Sequence, residues 1–346
     1  MTPSTLDDGA LAAATDEREP GLLGRLGGAT AFWMALVLFG LVALFSAISP
    51  QNAFLNVGNF FTIALNASQL TLLALGMTYL LGARQLDLSI AANVVLASIL
   101  SAKTITALMP APGGNALGAI LCGMVVALVA GTLFGLVNGL LVTRLKLSSF
   151  LATLATSTIG LGAALVITSG ANVPGLPRVL QTSFGIYRIG GVVPVPVVIA
   201  LAAAAVLWFF LAKTRFGVRT LAIGSAPEAA RRAGIAVDRQ LMTLFGMMGF
   251  LCGLTAILDI SRFATTNIGG HQTDAMQAIA AAVIGGTSLF GGSASVVGAV
   301  IGALIPVVLG TGLVIMRVDS FYQLIAVGLI VIVAVAIDQR RRAGQA

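Results

Sequence analysis

The chain is short of charge. Only 9% of its 346 residues are Asp, Glu, Lys or Arg, against 58% hydrophobic, whereas a soluble globular domain carries about 25% charged residues. So little polar surface excludes a water-soluble fold of this size and leaves a polytopic, all-α membrane protein. The apolar runs are continuous and not alternating, which excludes a membrane β-barrel. Histidine is nearly absent: His271 stands alone, and no Ser–His–acid or paired-carboxylate arrangement can be assembled, so an enzymatic role is set aside. The two cysteines, Cys122 and Cys252, sit inside apolar runs with no metal or redox spacing and read as packing residues. No G-x-x-x-x-G-K-[ST] sequence occurs. The run Gly285-Gly-Thr-Ser-Leu-Phe-Gly-Gly292 lacks the lysine that reaches phosphates, so the chain is expected to bind neither ATP nor any other cofactor by that mechanism.

What is present is a series of long apolar segments. A membrane span takes about 20 apolar residues, and ten segments qualify: 31–49, 60–82, 87–108, 115–141, 148–168, 192–212, 241–260, 275–290, 294–315 and 321–338. The eighth is short and interrupted by glycine. Residues 1–30, with Asp7, Asp8, Asp16, Glu17 and Glu19 among Ala and Gly, show no short apolar core before a cleavage site and read as a disordered cytoplasmic tail. The first span then serves as an uncleaved anchor. Residues 31–338 form one membrane domain, and 339–346 a basic cytoplasmic tail.

The net charge of +7 is spread in short clusters between spans, with no basic face or interleaved aromatics, so no nucleic-acid partner is expected. The clusters set the topology instead. With the N-terminus inside, Arg18, Arg25, Arg84, Arg144, Lys146, the six basic residues of 213–240 and Arg340, Arg341 and Arg342 fall on the cytoplasmic side. That is fourteen, against five outside (Lys103, Arg178, Arg188, Arg262 and Arg317). Cytoplasmic segments are the Lys- and Arg-rich ones, so both termini are expected in the cytoplasm. The largest external segment, 169–191, is Gly- and Pro-rich and suits a loop, a lip or a short interfacial helix.

The longest charged run after the N-terminus is 213–240. Within it, Ser225-Ala-Pro-Glu228 reads as a helix start: Ser225 or Ala226 near the cap, Pro227 in the first turn, Glu228 at the positive end of the dipole. The helix is expected over Pro227 to Ala233, stopping at Gly234. A two-turn helix held in the aqueous phase is a docking element.

Three features favour movement of a solute. Helices are interrupted at Leu81–Asn93 and at Gly285–Ser295, and broken helices are tolerated at membrane depth only where protein or a water-filled cavity satisfies the backbone. Neutral polar side chains dot the spans, among them Asn66, Gln69, Asp87's neighbour Ser89, Asn93, Thr153 and Ser157, and these suit the hydroxyls of an uncharged solute. Charged residues inside the spans are nearly absent, which argues against ion coupling. Each hydroxyl also has a plain role, bonding back to its own helix. Asp87 is read first as a cap for a helix starting at Leu88 and second as a path residue. Gly131-x-x-x-Gly135 and Gly298-x-x-x-Gly302 permit close helix approach. Asp87–Val94 and Asp274–Val283, five spans apart, each place an Asp before an Ile-Ala-Ala run, the mark of an inverted repeat.

At this point a resemblance appears. Thr214-Arg-Phe-Gly217, Ala222-Ile-Gly224, Glu228-Ala-Ala230 and Ala233-Gly-Ile-Ala-Val237 are similar to the cytoplasmic loop of permease subunits of carbohydrate-uptake ABC transporters, the ribose, xylose, arabinose and galactose type. Ala278-Ile-Ala-Ala281, Gly285-Gly-Thr-Ser-Leu289, Val297-Gly298 and Ile301-Gly-Ala-Leu304 resemble that family's C-terminal stretch, and Leu75-Gly-Met-Thr78 with Leu86-Asp-Leu-Ser89 its second-span signature. Phe150-Leu-Ala-Thr-Leu154 and Ser320-Phe-Tyr-Gln323 also fit. The chain departs from the family's pattern at Gln85, Ile90, Ala91, Ala275 and Ala294. The resemblance implies a type II-like importer permease of about ten helices. Its partners would be a separate ATPase subunit that holds ATP and Mg, a periplasmic or lipoprotein binding protein, and a second permease copy, identical or related. It implies the bacterial inner membrane, and makes Ala226, Pro227, Glu228, Ala229, Ala230, Arg231, Arg232, Ala233 and Gly234 the coupling contact. The solute expected is a small neutral sugar or sugar alcohol. Alternatives are branched-chain amino acids, nucleosides or a furanose-like signal, and, from another class, an ATP-independent secondary transporter.

Overall fold

The structure, a computed structural model, describes residues 30–109 and 115–343. Its apolar stretches are helical because a backbone in hydrocarbon must satisfy its own polar groups. The helices are α1 (Thr30–Ile48), α2 (Val57–Gly82), α3 (Ile90–Ala107), α4 (Leu117–Thr143), α5 (Ser149–Thr168), α6 (Val195–Lys213), α7 (Arg215–Ser225), α8 (Pro227–Arg232), α9 (Val237–Phe263), α10 (Asp274–Ile284), α11 (Val296–Ile315) and α12 (Ser320–Ala343). Seven of these, α2 to α6 with α9 and α11, are long and apolar enough to cross a membrane. Shorter apolar stretches lie at Met34–Ile48, Asp274–Ile284 and Phe321–Ala336.

Several boundaries differ from those expected. The eighth segment is helical only over the eleven residues of α10, about 16 Å at 1.5 Å per residue and so half of an about 30 Å hydrocarbon core; the non-helical stretch 285–295 continues it. Helix α3 starts at Ile90 and not at Leu88, because the backbone from Gln85 to Ser89 stays out of helical bonding. Helix α7 was not anticipated: its residues look like charged loop, but Gly217, Thr220, Ile223 and Gly224 form a buried face. Helix α12 runs through Ala343, so the basic residues 339–343 continue the last helix and do not form a separate tail. The expected N-terminal tail, apart from Thr30, lies outside the described residues.

Packing follows a paired pattern. Helix α3 packs on α4, α5 and α9, and α10 packs correspondingly on α11, α12 and α2; α2 and α9 touch each other. Exchanging α2–α5 with α9–α12 reproduces these contacts. Because successive spans alternate in direction, units five spans apart are inverted, which is the relation suggested by the two Asp-containing runs.

The most extensive helix contact is between α4 and α9. A Cβ on Gly131 would sit 2.5 Å from the carbonyl oxygen of Gly249, and one on Gly253 2.5 Å from that of Ala127; Gly135 lies equally close on the Phe245 carbonyl. Two small-residue stripes, Gly131/Gly135 and Gly249/Gly253, therefore bring the two backbones into direct contact. Cys252 is buried beside this seam and Cys122 faces outward from α4.

On the outer side, segment 169–191 is a built element and not a free loop. It contains a helical turn (Arg178–Leu180) and a small hairpin pairing β1 (Arg188–Ile189) with β2 (Val193–Pro194). Thr266 and Thr265 hydrogen-bond the Val173 backbone, Gln181 donates to the Arg262 carbonyl at 2.6 Å, and Arg188 stacks on Phe61 at 3.4 Å.

Filling the α4–α9 seam tests this arrangement. Gly249→Leu is expected to destabilise the protein by about 1–3 kcal/mol or more, the range for overpacking, read as a lowered melting temperature in detergent. Gly40→Leu, at a position where a Cβ meets nothing within 4 Å, is expected to leave it unchanged. Equal melting temperatures would contradict the close backbone contact.

Candidate functional site

Helix α8 presents the first surface of interest. Ala226 occupies the cap position, Pro227 the first turn and Glu228 the acidic first-turn position, while Gly234 carries a φ of +81° just past the end. The helix ends at Arg232, with Ala233 as its C-cap. Ala230 is buried and turns inward. Ala226, Ala229 and Ala233, spaced three and four residues apart, are exposed, as are Glu228, Arg231, Arg232 and Gly234. The exposed alanines are small side chains flanked by charge. Arg231 pairs with Glu228 at 3.9 Å and with Asp238 at 3.6 Å, and Asp238 also takes Lys146 at 2.8 Å. These groups are about half exposed, so the pairs add about 0–1 kcal/mol each. They tie α8 to the start of α9 and to the α4–α5 loop.

A glycine junction connects this surface to both helix breaks. The Gly292 amide donates to the Gly82 carbonyl at 3.0 Å. Gly224, at the end of α7, fits against both: a Cβ there would overlap the Gly82 carbonyl and lie 2.6 Å from the Gly292 nitrogen. Gly286, Gly291 and Gly292 have φ between 84° and 90°, a region that L side chains rarely enter.

The first break is closed by side chains of α4 and α5. The Leu86 amide donates to the Ser149 hydroxyl at 3.2 Å and the Leu88 amide to Thr153 Oγ1 at 3.0 Å. Asp87 accepts from the Ser89 amide at 2.8 Å and from its hydroxyl at 2.6 Å. Asn138 donates to Ser89 at 2.7 Å, and Thr156 donates to Asn138 at 2.7 Å. Asn93 donates to the Gly131 carbonyl at 3.1 Å. Asp87, Ser89, Asn93 and Thr153 are thus all buried around the first break; Asp87 and Ser89 bond each other, while Asn93 and Thr153 bond backbone groups. Ser157 is half-buried, one turn further along α5.

Asn66 and Gln69 stand elsewhere. They line an outer cavity of about 380 Å³ with Asp259, Phe263, His271, Asp274, Gln277 and Gly310. A second cavity of about 360 Å³ shares Gln277, Gly310 and Gln323 with it. Asn66 accepts from Arg262 at 2.6 Å. His271, expected as a plain external-loop residue, is buried between two carboxylates, with Nδ1 2.7 Å from Asp274 and Nε2 3.4 Å from Asp259. The expectation that ionisable groups are nearly absent from the spans overlooked Asp259, buried in α9. Its signal was available: a lone Asp in an apolar span needs a partner, and the single histidine lay twelve residues on. Among the described residues, no group of three or more His, Cys, Asp or Glu is disposed to hold a metal ion.

His271, in the loop between α9 and α10, has its pKa pushed up to about 10: burial lowers it, and the hydrogen bonds and charges of Asp259 and Asp274 more than offset that. Because the folded value lies above the free value of about 6.5, the stabilisation is fully present below pH 6.5 and is lost as pH rises through about 10. With a single histidine in the chain, ¹⁵N-His NMR reads this directly. A doubly protonated ring is expected at pH 8, with titration shifted downward in Asp274→Asn; a ring titrating near 6.5 in the unsubstituted protein would refute the ion-paired arrangement.

Comparison with known proteins now has a geometry to attach to. The family model described as the branched-chain amino acid transport system / permease component matches residues 59–335. The ribose import permease protein of Bacillus subtilis (strain 168) is 36% identical over 312 residues, 89% of this chain and 92% of that one. The D-allose transport system permease protein of Escherichia coli (strain K12) is 32% identical, over 88% and 90% of the two chains. The galactose/methyl galactoside import permease protein of Haemophilus influenzae is 32% identical, over 90% and 94%. No solved structure matches the chain. The chain is therefore a member of the family of multi-pass, non-enzymatic permease subunits of carbohydrate-uptake ABC transporters.

Proposed function

We propose that this chain is the membrane-spanning subunit of an ATP-driven importer for a small neutral sugar or sugar alcohol, seated through α8 on a separate ATPase. The observation that carries the reading is the continuity from α8 to the breaks. The exposed Ala226, Ala229 and Ala233 follow the end of α7, whose Gly224 contacts both Gly82 and Gly292. A displacement of α8 by a closing ATPase therefore moves both interrupted helices together. ATP and Mg belong to that partner.

The remaining partners follow from family membership: a substrate-binding protein at the outer face and a second permease copy, identical or related, in the inner membrane. The Lys and Arg distribution supports cytoplasmic termini and puts α8 on the ATPase side. Asn66 and Gln69 are path residues in this reading, because they face open volume. Asp87, Ser89, Asn93 and Thr153 act by holding the first break, with Ser157 beside them. A neutral solute is favoured over an amino acid because the charges around the cavity balance: His271 and Arg262 stand against Asp259 and Asp274. The names of the relatives, ribose, D-allose and galactose, point the same way.

Co-purification tests the coupling surface. The ATPase partner is expected to co-purify with the unsubstituted chain and to be lost with Ala229→Arg, which puts a long cation among the exposed alanines. Gly224→Val is expected to retain the ATPase but reduce ATP-driven sugar uptake at least tenfold. Uptake by this chain alone, in proteoliposomes without ATP, would sink the importer reading.

A further inference from the structure

We propose that the outer cavity is a binding site for a vicinal diol of the transported solute, built within one permease chain around Asp259 and His271. The inference rests on the sugar-importer reading and assigns it a site. One observation carries it beside the cavity's lining. Asp259 is 1% exposed and His271 6%, and the Asp259 Oδ2 and His271 Nε2 atoms face each other at 3.4 Å without a well-directed hydrogen bond. Buried polar atoms are nearly always bonded, so this poorly satisfied pair, on two residues that line the cavity, can turn toward a ligand that completes both groups. Neighbouring hydroxyls on a sugar supply the matching pair, one donating to the carboxylate and one accepting from the ring N–H.

The rest of the wall fits the same chemistry. Gln69 and Gln277 offer amides that both donate and accept, and Phe263 offers an apolar ring against which the C–H face of a sugar can pack. A volume of about 380 Å³ lies at the small end of the about 300–1,000 Å³ typical of ligand pockets. Local charge compensation gives no attraction for an ionic solute. Gly310 keeps the space open: it lines both outer cavities, and a Cβ there meets nothing within 4 Å.

The test uses the full chain in nanodiscs and, in parallel, the transporter assembled with its ATPase and binding protein. Radiolabelled D-ribose, D-allose, D-galactose and D-fructose are first ranked by ATP-driven uptake, and the sugar accumulated fastest becomes the binding probe. The permease alone is expected to bind that sugar saturably at millimolar concentration. Asp259→Asn is expected to weaken binding at least tenfold. Gly310→Leu, which puts a side chain into the space that both cavities share, is expected to abolish binding and uptake while ATPase co-purification and melting temperature stay unchanged. Absence of saturable binding to the unsubstituted permease, or unchanged binding and uptake in Gly310→Leu, overturns the site and leaves the importer reading standing. Absence of ATP-driven uptake of all four sugars overturns the sugar reading itself and this site with it.

Discussion

A helix that stops inside a membrane leaves amides and carbonyls with no water to turn to, and each must find a partner in the protein. That constraint organises this molecule. Two helices stop, at Gly82 and at Ile284, and the side chains that look out of place in apolar spans are those that meet the exposed backbone. Ser149 and Thr153 receive the amides of Leu86 and Leu88, and Asn138 and Thr156 hold the Asp87–Ser89 turn. At the second break Thr287 and Ser295 serve the same purpose, with Ser295 capping α11 through the Gly298 amide. The breaks then meet each other through Gly292 and Gly82.

Glycine solves the complementary problem of bringing backbones together. In lipid there is no hydrophobic drive between helices, so association depends on close packing. The seam of α4 and α9 runs on Gly131, Gly135, Gly249 and Gly253, and Gly285 and Gly298 do the same for α10 and α11. Rigid seams and broken segments coexist in one bundle. Helix α7, which precedes α8, joins this network at Gly224, against Gly82 and Gly292.

Charge is used sparingly and in two places with different effects. At the end of the bundle that carries α8, Lys146, Asp238 and Arg231 form an exposed chain whose contribution is geometric. At the other end of α9, Asp259 and His271 are buried beside Asp274, and there a low dielectric makes unpaired charge costly, so the single histidine is held between two carboxylates. The buried group has the features of a recognition element, and the exposed one those of a strut.

The sequence alone determined the multi-pass membrane class and the short exposed helix that starts at Pro227, because these depend on composition, run length and local capping chemistry. It also placed both helix breaks, since Gly-Gly pairs and polar runs interrupt apolar segments visibly. Only the tertiary structure decided which polar residues hold the fold and which face open space. Asp87, Ser89, Asn93 and Thr153 look as much like path residues as Asn66 and Gln69 do, and they differ in being buried and bonded at the first break, whereas Asn66 and Gln69 line a cavity. Helix α7 stayed hidden because its buried face exists only against the ends of α2, α6 and α9 and the second break. The Asp259–His271–Asp274 group stayed hidden because His271 reaches Asp259, twelve residues back, only after the chain has turned from α9 toward α10. Burial and pairing are properties of the assembled bundle, and no local pattern encodes them.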